Sequence, residues 1–405
     1  MTVDLKTKSA LVIDGGVFLP LAELLSSKFG KLGYWSDWQN PFPDAKELII
    51  GTGLDGITRE KYLWDVVDSY DLIIFPDVRN GDLQDYFRSQ GKRVWGAGRL
   101  SALELNRWKT RQLMEQIGLP VSESEKVVGL DNLRLYLQQH EDVYIKLSNF
   151  RGLGETFHSE NYDLSRGELD DLRQKHGALM DIVEFIVDKA IPDAKEDGYG
   201  GFCIDGEFPD LSVYGCEIKN KAYFGKFVKY DDLPDDVREV NTKLSPHLKG
   251  YRQFFSTELR NGVPIDFTCR QSSPEGEAFC HAFENIAEII WYGSEGVLVE
   301  PKTSYKYIAQ ILIDSDWAEH HWAAIQFPDK VRPFVKLYNH CRINGQDYVV
   351  PQITKMKEIG SVIGLGKTAK EACDMAKKNA DAVAGFDLCA ETDALDKALK
   401  LMEDS

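Results

Sequence analysis

Apolar and polar positions repeat along this chain with two different periods, and the order in which those periods alternate is its first legible feature. Residues 9–14 (SALVID) form a short apolar run ending in Gly15-Gly16, and an amphipathic stretch follows over 19–29. A buried strand, a tight loop and a helix in that order open a doubly wound α/β domain. Apolar runs at 47–51, 71–77 (DLIIFPD) and 92–96 predict further strands, with helical spacing between them, as at 59–69. Strands alternating with helices imply a mostly parallel sheet. Ligands on such sheets sit past the carboxyl ends of the strands, so Gly15, Gly16 and Asp77 line the expected crevice. The loop is not a G-x-G-x-x-G fingerprint and gives a dinucleotide little support.

Residues 101–117 predict a helix, with Ser101 and Glu104 spaced as a capping box and Gly118-Leu119-Pro120 as the stop. It carries Arg107, Lys109 and Arg111. Residues 143–147 (VYIKL) predict a strand with Lys146 among apolar neighbours, followed by a glycine-bearing loop over 148–154. A lysine on a buried strand beside such a loop suits a phosphate clamp. The next apolar strand, 181–187 (DIVEFIV), is interrupted by Glu184, a lone acid that needs a partner. Residues 188–199 are acidic and read as a loop. Antiparallel strands are expected at 201–204, 211–219 and 223–228, bringing Lys219 and Lys221 with them.

Residues 251–275 predict a β-hairpin turned by Asn261-Gly262, a pair that tolerates positive φ at both positions. Its second strand puts Asp266, Thr268 and Arg270 on one face and Ile265, Phe267 and Cys269 on the other. Alone, such a strand reads as a sheet with one solvated face. Glu258 is the acid on the first strand. A strict two-residue turn would place it opposite Ile265, whereas a bulge at Pro264 would shift the parity and keep it a candidate metal ligand. A helix at 276–292, strands at 308–314, 346–352 and 360–364, a turn at 366–368 and a helix at 369–383 complete the reading.

Composition narrows the class. The chain has 405 residues, 43% hydrophobic and 28% charged, which suits a soluble protein of two or three domains. No apolar run is long enough for a membrane span, and no signal segment is evident at the start. Seven scattered cysteines without a C-x-x-C pair point to a reducing cytoplasm rather than a disulfide framework or a structural zinc site. A net charge of −17 argues against a broad nucleic-acid surface and leaves room only for local basic pockets.

These pieces fall into one order. A Rossmann-like domain precedes a basic helix ending in Gly-Leu-Pro; a lysine strand with a glycine loop precedes an apolar strand with a glutamate; a hairpin then ends in acid-x-x-x-Arg. In that order the chain resembles the ATP-grasp superfamily, and phosphoribosylamine–glycine ligase most of all. Residues 266–275 (DFTCRQSSPE) are similar to that family's metal-binding segment, E-F-N-x-R-F-G-D-P-E. NRWKTRQLMEQIGLP resembles the start of its grasp, and IGSVIGLGKTAKEACDMAKKNADAV its C-terminal domain. The resemblance implies an α/β architecture: a Rossmann-like pre-ATP-grasp domain (1–105), an ATP-grasp domain with antiparallel sheets (106–303, lid about 121–180) and a small α+β C-terminal domain (304–405).

It also implies roles. Arg107 and Lys146 would contact ATP phosphates, with Arg151 replacing the family's loop lysine, since Gly154-Glu155-Thr156 stands in place of G-K-G. Glu184 would be the hinge acid, with Phe185 and Ile186 offering backbone hydrogen bonds to adenine. Asp266 would hold Mg²⁺, with Glu258 the remaining candidate ligand, and Arg270 and Lys219 would serve the phosphoryl transfer. Asp266 is shorter than the family's glutamate, and Thr268 replaces its asparagine. Asp77-Val78-Arg79-Asn80 replaces the P-E-x-P-L run of the phosphoribosylamine pocket, which points away from that substrate. The implied activity is ATP-dependent ligation of a small carboxylate to a small amine through an acyl-phosphate. The alternatives are a degenerate ATP-grasp protein that binds nucleotide without turnover, and a kinase or carboxylase on the same fold.

Overall fold

A computed structural model describes residues 3–36, 50–149, 156–191, 196–351 and 357–403. The chain divides into two compact units: 1–101, 196–258 and 268–405 form the larger, and 102–195 with 259–267 the smaller. The architecture is mixed α/β, with one parallel sheet and several antiparallel ones.

The larger unit opens with a parallel sheet of β1 (Ser9–Ile13), β2 (Lys31–Trp35), β3 (Thr58–Arg59), β4 (Leu72–Ile74) and β5 (Arg93–Trp95), in the order β3-β2-β1-β4-β5. Helices α1 (Leu19–Ser26), α2 (Leu63–Val66) and α3 (Gly81–Ser89) connect them. The uninterrupted apolar run of β1 has a simple cause. Ala10 and Val12 enter one hydrophobic cluster and Leu11 and Ile13 another, so the strand is covered on both faces. Two local expectations change. β2 carried no clear sequence signal, because Lys31 and Gly33 interrupt its apolar pattern. The helix expected at 59–69 shrinks to α2 and a following turn, since Arg59 is held in β3, where its guanidinium donates to the carbonyls of Ile50 (2.8 Å) and Ser36 (2.9 Å). Of the strand expected at 47–51, residues 47–49 lie outside the described residues, and Ile50 and Gly51 form a turn.

The smaller unit contains α4 (Ala102–Leu105), α5 (Arg107–Gln116), β6 (Ser124–Val128), α6 (Leu130–Leu137), β7 (Val143–Leu147), β8 (Thr156–Ser159), α7 (Tyr162–His176) and β9 (Glu184–Lys189). Its antiparallel sheet has the order β6-β9-β7-β8. One face, with Ile145, Phe185 and Val187, packs on Leu130, Leu133 and Leu169 of the helices. The period of two then forces Lys146, Ile186 and Asp188 onto the other face. The single helix expected at 101–117 is broken: Asn106 caps α5 by accepting a hydrogen bond from Lys109 N (3.2 Å), which displaces the predicted Ser101–Glu104 box. The loop expected at 188–199 is shorter, because β9 runs to Lys189 and the next strand starts at Glu196.

In the larger unit, β10 (Glu196–Ile204), β11 (Leu211–Ile218), β12 (Ala222–Lys229), α8 (Asp235–Leu244), β13 (Arg252–Arg260), α9 (Glu275–Ala282), α10 (Ile286–Gly293) and β15 (Tyr307–Asp314) follow, while the last two residues of β13 and nearly all of β14 (Val263–Thr268) belong to the smaller unit. Asn261 and Gly262 have φ of 49° and 75°, as the hairpin reading requires. The helix expected at 276–292 is two helices. Then come β16 (Ala323–Gln326), β17 (Val335–Leu337), β18 (His340–Ile343), β19 (Gln346–Val349), β20 (Glu358–Gly366), α11 (Ala369–Asp381), β21 (Ala384–Gly385) and α12 (Thr392–Glu403). β13, β10, β11, β12, β15, β20 and β17 lie side by side in that order. The Ala-rich α11 packs so close to β20 that a side-chain carbon on Gly364 would fall 2.1 Å from Ala372 O. Thr368 and Glu371 form its capping box.

Asp347 anchors this end of the larger unit. Its Oδ1 accepts from His340 Nε2 (2.8 Å) and Arg342 Nε (2.7 Å), and its Oδ2 from Arg332 Nη1 (2.9 Å). Asp347→Asn removes the one buried counter-charge that those three partners share and should cost about 3 kcal/mol, read as a lower urea midpoint. Asp55→Asn, which removes only an exposed contact of Arg342, should change stability by less than about 1 kcal/mol.

Candidate active site

In the smaller unit, α5 has helical spacing, so Arg107 and Arg111 share a face one turn apart while Lys109 points to solvent. Both arginines are buried, with the polar face of β7 and β9 and the hairpin residues as neighbours. Arg107 Nη1 donates to Leu147 O (2.7 Å), and its Nη2 lies 3.5 Å from Asp266 Oδ2. Arg111 donates to Asp188 Oδ2 (2.5 Å) and to Pro264 O (3.2 Å). Lys146 Nζ donates to Ile265 O (2.5 Å) and lies 3.7 Å from Asp188 Oδ2. Ser124 Oγ donates to the other oxygen of Asp188 (2.6 Å). Burial pushes the Lys146 ammonium below the usual lysine range; the Asp266 and Asp188 carboxylates oppose that shift, and Arg111 and Arg107 add to it. A narrow cavity of about 20 Å³ is lined by these cations together with Ile186, Ile265 and Asp266.

Three cations, Lys146, Arg107 and Arg111, are gathered here with the carboxylates of Asp188 and Asp266. Two residues past Lys146, the buried Ser148 hydroxyl has no hydrogen-bond partner. Buried cations and a hydroxyl are the donors that an anionic, phosphate-bearing ligand would use. Asp266, the carboxylate expected to hold magnesium, lies 3.5 Å from the Arg107 guanidinium.

Sequence pattern places Arg111 on the basic helix but singles out only Arg107, and it does not mark Asp188. Asp188 falls in the acidic stretch read as a loop, although in β9 it shares a face with Glu184 and Ile186, the face that carries Lys146 on β7. Glu184 sits at the opposite end of β9, where its carboxylate is 3.2 Å from Lys126 Nζ and partly exposed. Phe185 is in the hydrophobic core. Its strand is paired on both sides, Phe185 and Ile186 with Val127 and Lys126 on β6 and with Leu147 and Lys146 on β7. The backbone at these two residues therefore has no open sheet edge for an adenine ring. Arg151 lies outside the described residues.

In the larger unit, Lys219 Nζ lies 3.6 Å from Glu196, 3.8 Å from Glu217 and 3.4 Å from Glu258. Those three carboxylates are close enough to share one cation. The lysine ammonium stands among them, and burial raises Glu217 above the usual carboxylate range while Lys219 draws it down. Arg270 Nη1 donates to Gln271 O (3.0 Å). At the end of β1, Asp14 is buried, and its Oδ2 accepts from Gly16 N (2.9 Å), Phe18 N (3.0 Å) and Tyr34 OH (2.9 Å). Burial, and then the charge of Asp77, raise its carboxyl from 3.8 to about 6.

Two outcomes test these environments. Asp188→Ala strands Arg111 and Lys146 and should cost about 3–5 kcal/mol, seen as faster amide exchange in β7 and β9, whereas Glu184→Gln should cost less than about 1 kcal/mol. For Asp14, the folded state binds more protons than the unfolded one between the usual value of 3.8 and about 6, so stability falls as pH rises through that window. Asp14→Asn should therefore be more stable than the parent near pH 8, by at most ~3 kcal/mol, and the gain should vanish towards pH 3.5, read by thermal unfolding at each pH.

No protein-family model matches the sequence, and no curated protein matches it either. Solved structures do match. Thermotoga maritima phosphoribosylamine–glycine ligase superposes with a TM-score of 0.67 at 14% identity, over 94% of this chain and 98% of that one. Campylobacter jejuni biotin carboxylase, solved as a β,γ-ATP complex, gives 0.63 at 13% identity, over 99% and 96%. Bacillus licheniformis L-amino acid ligase gives 0.59 at 13% identity, over 94% and 98%. No described helix is long and apolar enough to cross a membrane. At these identities the likeness is one of fold, and the fold of this chain is the ATP-grasp fold that those enzymes share.

Proposed function

We propose that the protein is an ATP-dependent carboxylate–amine ligase that releases ADP and phosphate. The observation that carries this reading is the buried Lys146–Arg107–Arg111 group together with the unsatisfied Ser148 hydroxyl. A nucleotide's phosphates would satisfy both. Lys146 and Arg107 then bind and orient the phosphates, and Asp188 holds Lys146 and Arg111 in place. Arg270 and Lys219, in the larger unit, are proposed for the transferring phosphoryl group on the strength of the family resemblance. Asp266 would hold Mg²⁺, which when bound supplies charge neutralisation for the phosphates.

The chemistry follows from leaving groups. A carboxylate oxygen is a poor leaving group. Once it carries the γ-phosphoryl group of ATP it can depart as phosphate: the amine nitrogen forms its bond to the carbonyl carbon, the C–O bond to phosphate breaks, and the nitrogen loses a proton. A lid spanning about 121–180 would keep water from the acyl-phosphate. The domain reading that accompanies this proposal keeps 1–105, 106–303 and 304–405 as the pre-ATP-grasp, grasp and C-terminal domains.

A second reading, nucleotide binding without turnover, draws support from Arg107, whose guanidinium lies 3.5 Å from the carboxylate meant for magnesium. The test is phosphate release from ATP across a panel of carboxylates and amines. Lys146→Ala and Asp266→Ala should each lower turnover by at least about a hundredfold with unchanged circular dichroism. Full activity in either variant would sink the site assignment, and ATP binding without release across the whole panel would favour the second reading.

A further inference from the structure

In the larger unit, the sheet β18-β19-β16-β21 ends at a strand of only two residues, Ala384–Gly385, which pairs with Ile325 and Gln326 of β16. Beside this edge lies a cavity of about 470 Å³, a size that suits a small-molecule site. Small residues, Ala324, Ala384 and Gly385, line it together with three aromatic rings, Trp317, Trp322 and Phe386. Those rings are held by their neighbours. Trp322 packs against the main hydrophobic cluster. Trp317 and Phe386 meet with centroids 5.2 Å apart and planes at 78°, and His321 stacks on Trp317 at 3.7 Å and 14°. Trp317 N donates to Asp387 Oδ2 (3.0 Å), which ties the two segments together. Even so, Trp317 is 39% and Phe386 68% exposed. Large rings that are fixed in place and left facing water around a cavity mark a binding surface.

Charge and shape narrow the ligand. No lysine or arginine lines the cavity. Asp316, next to Trp317 in the chain, is paired with Lys357 (2.7 Å). Asp387, next to Phe386 and bonded to the Trp317 backbone, is exposed and has no cationic partner among the described residues. A phosphate or carboxylate group would therefore meet an aspartate and no counter-charge. Rings at 78° cannot both stack on one flat ligand. A compact cation can lie against more than one ring, because the face of each aromatic ring carries partial negative charge. A neutral apolar ligand would use the rings and leave the Asp387 charge unused.

We propose that this cavity binds a small organic cation, a quaternary or methylated ammonium, with Trp317, Trp322 and Phe386 as its aromatic walls and Asp387 as its counter-charge. The site belongs to the larger unit, whereas the Lys146 cluster belongs to the smaller one, and it does not depend on the ligase reading.

Calorimetric titration of the full chain tests this, with choline, its uncharged isostere 3,3-dimethyl-1-butanol, and adenosine as probes. Choline should bind at least about tenfold more tightly than the alcohol and should shift tryptophan indole resonances in NMR spectra. Phe386→Ala, at a mostly exposed position, should weaken choline binding at least about threefold with thermal unfolding unchanged. Asp387→Asn keeps an acceptor for Trp317 N, so it should weaken choline and leave the alcohol unaffected. The site is overturned if choline fails to bind at tens of millimolar, if the alcohol binds as tightly as choline, or if both variants bind choline as the parent does. Tighter binding of adenosine than of choline would replace the cation by a flat aromatic ligand. Self-association of the protein that Phe386→Ala abolishes would make a second copy the occupant, and would overturn the assignment as well.

Discussion

A lysine ammonium cannot be kept out of water without a counter-charge, and the smaller unit is arranged around that constraint. Lys146 sits on a strand whose other face is hydrophobic core, so its own side chain has nowhere to go but the polar face. There Asp188 meets it from the neighbouring strand, and Asp188 in turn takes a hydrogen bond from Arg111 on α5. Ser124 supplies the third contact. Four elements of the unit, β7, β9, α5 and β6, thus contribute one member each to the network. A buried ion group of this kind contributes little net stability compared with apolar packing, and it is expensive to break. On the function proposed above, its value would lie in holding cations ready for an anion.

The alternation of strand residues is what converts sequence into that arrangement. Ile145 and Val187 pair across the ladder and enter the core together, as do Leu147 and Phe185. Their neighbours Lys146 and Ile186 are then placed opposite each other on the other face without any further instruction. β1 shows the same rule in its other form: because both faces are covered, the alternation disappears into a continuous apolar run. The loops at strand ends are then the places where polar groups can gather, and Asp14 and Asp77 lie in two of them.

Most of the fold was legible in the sequence, because its long apolar runs and its punctuation are strong. The parallel strands β1, β4 and β5, the Asn261-Gly262 hairpin and the glycine-bearing β20 with its Ala-rich helix follow from local pattern, whereas β2 and β3 do not. What was not legible depended on competition or on tertiary pairing. Asn106 outbids Ser101 for a cap, which breaks a helix that spacing alone would continue. Arg59 is drawn into a strand by carbonyls distant in sequence. Lys146 was recognisable from a charged residue in an apolar strand, and Asp266 from the family motif. Asp188 was not, because its significance comes from register: only the pairing of Tyr144 with Asp188 and of Lys146 with Ile186 brings its carboxylate beside the lysine. Glu184 is the more conspicuous acid in the sequence and the less buried one in the fold.

In a chain with a net charge of −17, the basic cluster around Lys146 is a local exception, maintained by burial and by its pairing with Asp188. At the end of β1 the same difficulty arises with the opposite sign. Asp14 is a buried carboxyl whose Oδ2 accepts from Gly16 N, Phe18 N and Tyr34 OH. Burial, and then the Asp77 charge, raise it to about 6, and the hydrogen bonds draw it back down. A solvated aspartate at the same strand end would carry no such penalty, so these three donors are what make a carboxylate tolerable there.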